Sequence, residues 1–297
     1  DEGQAHPLRT HRTPEASMWT LNDKVVIVTG ASRGVGAACA EALAKRGAKL
    51  VLASKTLDPD PRLPGTLLDT QRACEAAGSE AIVVQFDARD SVACDALVER
   101  AVAHFGALHG LVNNAGAIFW SPVADWTTKR FDLVFGVNVR ASFALSRAAI
   151  PHLRKEGGHV LMMSPPIVPA ALPGKAPYLV SKWGMTALAM AIDAEEAHNG
   201  VAAASLWPVT AIQTAATVNL GMGDATQWRT VDVLADATVA LLSRDPRTSR
   251  FRAWLDEDVL NEERVYDFRK YRCDPAHEPS PMSIELVDPG WGKRHGR

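Results

Sequence analysis

From Val25 onward the chain alternates short β-branched runs with amphipathic stretches of helical length, and few folds can absorb that pattern. Strands buried on both faces read as nearly continuous apolar runs, and parallel neighbours need a crossover of a dozen or more residues between them. The alternation therefore predicts an α/β domain with a doubly wound parallel sheet. Seven strands are expected at 24–29, 49–53, 81–86, 108–113, 159–163, 201–207 and 251–255. Helices are expected at 34–46, 64–77, 91–105, 127–155, 176–198 and 231–243.

No Gly-, Ser- or Pro-rich linker interrupts this alternation before Asn261, so the 297 residues are read as one domain over 18–260. A polar arm (1–17) precedes it and a Pro-containing extension (261–297) follows, whose Tyr266, Phe268 and Tyr271 are candidates to pack on the body or on a neighbouring subunit. With 47% hydrophobic and 22% charged residues the composition is that of a packed globular chain. A net charge of −2 without a basic block argues against nucleic acid as a partner. No run of 18 apolar residues and no apolar leader in the first 20 residues are present, which gives no membrane span and a cytoplasmic expectation. Cys39, Cys74, Cys94 and Cys273 are far apart and read as reduced thiols, and the nine histidines show no HExxH, so no metal is expected. The absence of GxSxG disfavours a triad hydrolase.

The first strand runs into Thr29-Gly30-Ala31-Ser32-Arg33-Gly34-Val35-Gly36, and a helix pattern follows directly. A dinucleotide pyrophosphate needs a turn that its oxygens can approach closely and a helix N-terminus whose free N–H groups face the charge. Gly30, Gly34 and Gly36 are placed for both. The spacing is GxxxGxG, not the GxGxxG of many dinucleotide folds.

In this spacing the chain resembles the short-chain dehydrogenase/reductase family, whose glycine motif is TGxxxGxG. Further motifs agree in order: Asn113-Asn114-Ala115-Gly116 after the fourth strand, Asn138 in the following helix, Ser164 after the fifth strand, and Tyr178-Leu179-Val180-Ser181-Lys182 as YxxxK. The resemblance covers about 18–258 and implies a Rossmann-type sheet and an enzyme that moves hydride between a nicotinamide and a carbonyl or alcohol. It also implies cofactor contacts from Gly30, Ser32, Arg33, Gly34, Val35, Gly36, Lys55, Asp87, Ala88, Asn114, Ala115, Gly116, Tyr178, Lys182, Pro208 and Thr210.

The second strand ends in Ala53-Ser54-Lys55-Thr56, without the carboxylate that would bind an unmodified adenosine ribose and repel a 2′-phosphate. Arg33 and Lys55 bring positive charge there instead, so NADP(H) is expected over NAD(H). Asp87 matches the family's adenine-contacting aspartate, and Asp90 is better placed to cap the helix from Ser91.

Tyr178 and Lys182 lie one helical turn apart, hence on one face. A tyrosine titrates near 10, and an adjacent ammonium favours its phenolate. The resemblance implies Tyr178 as general acid/base, Lys182 as the residue that tunes it and holds the nicotinamide ribose, Ser164 as the hydrogen bond to the substrate oxygen, and Asn138 as anchor of a water relay.

Some features depart from the common pattern. Trp207-Pro208-Val209 replaces the usual Pro-Gly, Asp256-Glu257-Asp258 replaces Asp-Gly-Gly, Pro165-Pro166 follows the serine, and the 55–66 connection is long. Together these are similar to the hydroxysteroid-dehydrogenase-like branch. Apolar residues near the reacting end (Ile118, Phe119, Trp120, Ile167, Val168, Leu172, Trp207, Val209, Leu220, Met222, Trp228) suit an aliphatic, terpenoid, steroid or fatty substrate, and 214–230 resembles a substrate lid. The family resemblance also implies a homodimer or homotetramer through the helices at 127–155 and 176–198. The other reading is a non-catalytic NADP(H)-sensing protein, which the intact Tyr178, Lys182, Ser164 and Asn138 oppose.

Overall fold

A computed structural model describes residues 19–59, 63–282, 284 and 288–296; the 1–17 arm lies outside the described residues. Seven strands form one all-parallel sheet: β1 (Val25–Thr29), β2 (Lys49–Ser54), β3 (Ala81–Gln85), β4 (Gly110–Asn113), β5 (Gly158–Met163), β6 (Val201–Trp207) and β9 (Ala253–Leu255). Their order is β3-β2-β1-β4-β5-β6-β9. Every expected strand is present, with its ends moved by no more than two residues.

Side chains on a strand alternate between the two faces, and the sheet divides its apolar residues accordingly. Val26, Val28, Leu50 and Leu52 join one core with α1 (Gly34–Ala44), α2 (Leu67–Ala76), α8 (Asp232–Leu242) and α9 (Asp256–Glu262). Val25, Ile27, Val51 and Ala53 join the other with α3 (Ser91–Phe105), α5 (Ala141–Glu156) and α6 (Ala176–Glu196). Because β1 pairs with both β2 and β4, the chain reverses direction across the sheet there, and a crevice opens beyond their carboxyl ends.

Local chemistry explains where helices begin. Asp90 caps α3 through the Val92 and Ala93 amides, as its position predicts. Helix α2 starts three residues later than expected because Thr66 and Asp69 form a capping box. The helix expected at 127–155 divides into α4 (Thr128–Phe135), a π-turn over Gly136–Arg140, and α5. Single π-turns cluster at functional sites, and this one turns Asn138 inward. By length and hydropathy the Thr128–Glu156 stretch is apolar enough to cross a bilayer, yet half of its apolar window is buried inside the domain, as in a core helix.

The periodicity gave no sign of a second small ribbon, β7 (Ala211–Ile212) with β8 (Trp228–Arg229), which flanks the short helix α7 (Ala215–Asn219). The segment after α9 packs back on the body: Phe268 and Tyr271 enter the first core, while Ile284 and Trp291, which opens α10 (Trp291–Arg294), are buried against Val209 and Leu255.

Candidate active site

Thr29 ends β1 and ties the two halves of the crevice together. Its hydroxyl donates to the Val112 carbonyl at 3.1 Å and accepts the amides of Asn114 and Ala115, each at 3.0 Å, while the Asn114 side chain donates to the Thr29 carbonyl at 2.9 Å. Gly30 takes a positive φ of 67° that an L side chain rarely adopts. A Cβ on Gly36 would stand 2.4 Å from the Gly30 carbonyl oxygen, so Gly36 lets α1 sit directly on the turn. A Cβ on Gly34 would meet only Thr214, at 3.8 Å, and that side of the turn is open.

The opening is a cleft of roughly 710 Å³. Gly30, Ser32, Arg33, Gly34, Val35, Lys55, Asp87, Ala88, Asn114, Ala115 and Gly116 all line it. Of the other expected contacts, Gly36 lies behind the turn, and Pro208 and Thr210 stand outside this cleft with Tyr178 and Lys182. Helix α1 begins without a side-chain cap, leaving its first amides to face the cleft. The open glycine turn, the uncapped helix start and the absence of a carboxylate at Ser54 fit a dinucleotide.

At the adenosine end the charges are already engaged. Arg33 donates to the Gly65 carbonyl at 3.0 Å, and Lys55 lies 3.1 Å from the Asp87 carboxylate. The Arg89 guanidinium grips the same carboxylate and, with Lys55, holds it well below the usual carboxylate range. Arg89 was missed from the sequence, although its place two residues after Asp87 allows this chelate.

At the other end, Lys182 is buried; its ammonium donates to the Met163 carbonyl at 2.9 Å, and burial brings its pKa down to about 8. Burial pushes the Tyr178 phenol up to about 12. The Ser164 hydroxyl donates to the Lys182 carbonyl at 2.9 Å, so it must rotate to reach anything in the cleft. Asn138 is fully buried and pairs both ways with Ala117, accepting the amide at 2.7 Å and donating to the carbonyl at 3.0 Å, and it donates to Ser181 at 2.8 Å. A Cβ on Gly116 would lie 3.5 Å from both the Asn138 amide oxygen and the Lys182 ammonium, so the Asn114–Gly116 loop joins the two ends of the site. Ser181, which also donates to the Tyr178 carbonyl at 2.6 Å, links Asn138 to α6, a contact that the YxxxK spacing conceals.

The apolar set is only partly gathered. Val209 is in the core with Leu255, Ile284 and Trp291, Trp207 packs against that cluster, and Trp228 is buried with its indole N–H on the Met222 carbonyl. Phe119 lies edge-on to Trp126 beneath the Arg130 guanidinium, and Lys175 stands over Trp120.

The family model for short chain dehydrogenases matches residues 24–223. The chain belongs to the short-chain dehydrogenase family. Its curated relatives place it with the hydroxysteroid-dehydrogenase-like branch of that family. Hydroxysteroid dehydrogenase-like protein 2 of Danio rerio and of Homo sapiens are each 39% identical over 260 residues, covering 86% of this chain. The match spans 62% of those relatives' own length. A short chain dehydrogenase from Mycobacterium thermoresistibile is 37% identical with a TM-score of 0.82, covering 89% of this chain and 95% of that one. A metagenomic short-chain oxidoreductase solved in complex with NADP is 27% identical with a TM-score of 0.67, covering 79% and 98%.

Proposed function

We propose that this short-chain dehydrogenase is an NADP(H)-dependent oxidoreductase acting on the carbonyl or alcohol of an apolar substrate. The observation that carries this is the meeting of Gly116, Asn138 and Lys182 at one point, with Tyr178 a helical turn away: the nucleotide cleft runs into the proton-handling residues. A bound nicotinamide supplies or accepts the hydride there.

The chain's own residues do the rest. Gly30, Gly34 and the α1 amides hold the pyrophosphate, and Asn114–Gly116 back the ribose end. Ser164 rotates from the Lys182 carbonyl to hold the substrate oxygen. Tyr178 gives that oxygen its proton in reduction and removes it in oxidation, and the Lys182 charge stabilises the phenolate left behind. Asn138 fixes the backbone at Ala117 between cleft and reaction site, and a water relay from Lys182 would pass beside it.

NADP(H) preference is supported by Arg33 and Lys55 on the cleft wall, by Ser54 in place of a carboxylate, and by the NADP bound to the metagenomic relative. Since Lys55 already faces Asp87, Arg33 carries most of that preference. An apolar substrate is supported by the half-buried Ile118, Ile167, Leu172, Leu220 and Met222, whereas Val168 is buried. The exposed Phe143, Trp183 and Met190 on α5 and α6 support a homo-oligomer built on those helices. A cytoplasmic location agrees with the four free cysteines.

The test is paired NADPH and NADH oxidation across straight-chain aldehydes from butanal to dodecanal and a set of ketosteroids. Turnover that favours NADPH and the larger apolar carbonyls is expected. NADH preference would overturn the cofactor assignment, and binding without any turnover would favour the sensing protein.

A further inference from the structure

Three backbone hydrogen bonds fasten the C-terminal segment to the parts of the chain that flank the reaction site. Thr230 donates to the Tyr271 carbonyl at 2.7 Å, Cys273 to the Trp228 carbonyl at 3.1 Å, and Met282 to the Val209 carbonyl at 2.7 Å. Arg229 and Arg272 form an antiparallel bridge, so the segment extends the β7–β8 ribbon at the root of the lid. The lid itself reaches the nucleotide cleft, where Thr214, Ala215, Ala216 and Asn219 form part of the wall.

Arg229 lies at the centre of this joint without any solvent exposure. Its guanidinium is 2.5 Å from Glu257, which follows β9, and 3.1 Å from Glu278 in the C-terminal segment, and it stands 5.0 Å over the Phe268 ring. Glu278 also accepts from Arg272, at 2.8 Å. A fully desolvated guanidinium costs more than its pairing returns unless the geometry is good, and apolar residues of equal volume would hold a core as well. What the charges add is register: Arg229 accepts one placement, between two carboxylates from two separate segments. The root of the lid is thereby fixed, while the tip around Gly221 and Gly223 stays exposed, with both glycines at positive φ.

We propose that Arg229 and Glu278 are positioning residues for the reaction: their ion pair fastens the lid root to the C-terminal segment and so sets substrate affinity. This rests on the reading of the site as an NADP(H)-dependent reductase with 214–230 as its lid. The segment after α9 is then part of the catalytic unit.

The test uses the full chain with Glu278→Ala, Glu278→Asp and Met282→Pro, all at positions that are not fully buried, and reads KM and kcat with NADPH and decanal. It also reads NADPH dissociation by fluorescence and deuterium uptake over 211–230. Glu278→Ala should raise the decanal KM about fivefold and speed uptake across the lid while NADPH dissociation stays within about twofold, the size of a part-exposed ion pair. Glu278→Asp should restore most of the loss, and Met282→Pro, which removes one donor, should raise KM in the same direction. Unchanged KM and uptake in Glu278→Ala, or faster uptake with KM unmoved, overturns the proposal. Wild-type protein that fails to turn over any carbonyl overturns the functional reading instead, and the uptake measurement still reports the fastening.

Discussion

The Lys182 ammonium donates to the Met163 carbonyl oxygen at 2.9 Å, so the cation one turn from Tyr178 is pinned to the end of β5 and held out of water. Burial lowers its pKa to about 8, whereas the Tyr178 phenol is raised to about 12. Lys182 is therefore charged below about pH 8 and loses its charge above, while Tyr178 keeps its proton throughout that range. In the proposed mechanism, reduction needs a protonated Tyr178 and a charged neighbour to stabilise the phenolate left behind. The kcat for carbonyl reduction should be steady at neutral pH and decline as pH rises through about 8. A profile that stays flat to about pH 10, well past that value, contradicts this role for Lys182.

Tyr178→Phe removes the proposed acid and keeps the ring. Among the described residues the phenol has no hydrogen-bond partner to offset the burial that raises its pKa, so its loss should not lower the melting temperature. Reduction should slow by about 10³-fold, the usual worth of a positioned general acid, while NADPH dissociation stays within about twofold. Stopped-flow turnover and fluorescence titration separate the two, and retained turnover would remove Tyr178 from the mechanism.

Arg33 and Lys55 should not contribute equally to cofactor choice. Lys55 is exposed and lies 3.1 Å from Asp87, which Arg89 also holds, so its charge is partly spent. Arg33→Ala should raise the KM for NADPH about 10- to 100-fold, the worth of a charge-assisted bond to phosphate, and leave NADH unchanged. Lys55→Ala should cost about fivefold or less. An unaltered NADPH/NADH ratio in Arg33→Ala would mean that the 2′-phosphate is read elsewhere.

Two glycines of the same turn should differ in kind. Alanine at 36 places its Cβ 2.4 Å from the Gly30 carbonyl and 2.5 Å from the Asn114 side chain, and the carbonyl is backbone that cannot step aside. Gly36→Ala should lose about 3 kcal/mol in urea unfolding, as overpacked sites do, together with nucleotide binding. Gly34→Ala meets only Thr214 and is opposed by its φ of 57° alone, which costs about 1 kcal/mol. Equal losses would show that crowding is not what sets Gly36 apart.

The sheet was legible because a parallel sheet covered on both faces writes itself as apolar runs, and β6 (Val201–Trp207) needed no adjustment of its ends. The cleft was legible because Gly30, Gly34 and Asn114–Gly116 follow strands directly. What periodicity could not show were contacts set by side chains far apart in sequence. The inward turn of Asn138 depends on Ala117 and Ser181, and the burial of Val209 depends on Ile284 and Trp291, so neither appears in a local pattern. Nothing in the local pattern marks Arg229, since its two carboxylates are 28 and 49 residues away.

Asp256, beside Glu257, is fully buried and accepts the Val209 amide at 3.0 Å and the Glu257 amide at 2.8 Å. Burial raises its pKa to about 7; Arg229 opposes the rise and Glu257 adds to it. In the unfolded chain the same carboxyl ionises near 3.9. Between those values the folded state keeps a proton that the unfolded state has lost, so stability falls as pH rises from about 4 to about 7 and levels above. Asp256→Asn keeps an acceptor for the two amides and removes the ionisation. It should melt at a higher temperature relative to wild type at about pH 8 than at about pH 4, where both side chains are neutral. Thermal melts of the two proteins across that interval measure the gap. If it stays constant, Asp256 is already ionised in the folded protein at low pH, and Arg229 outweighs burial at this position.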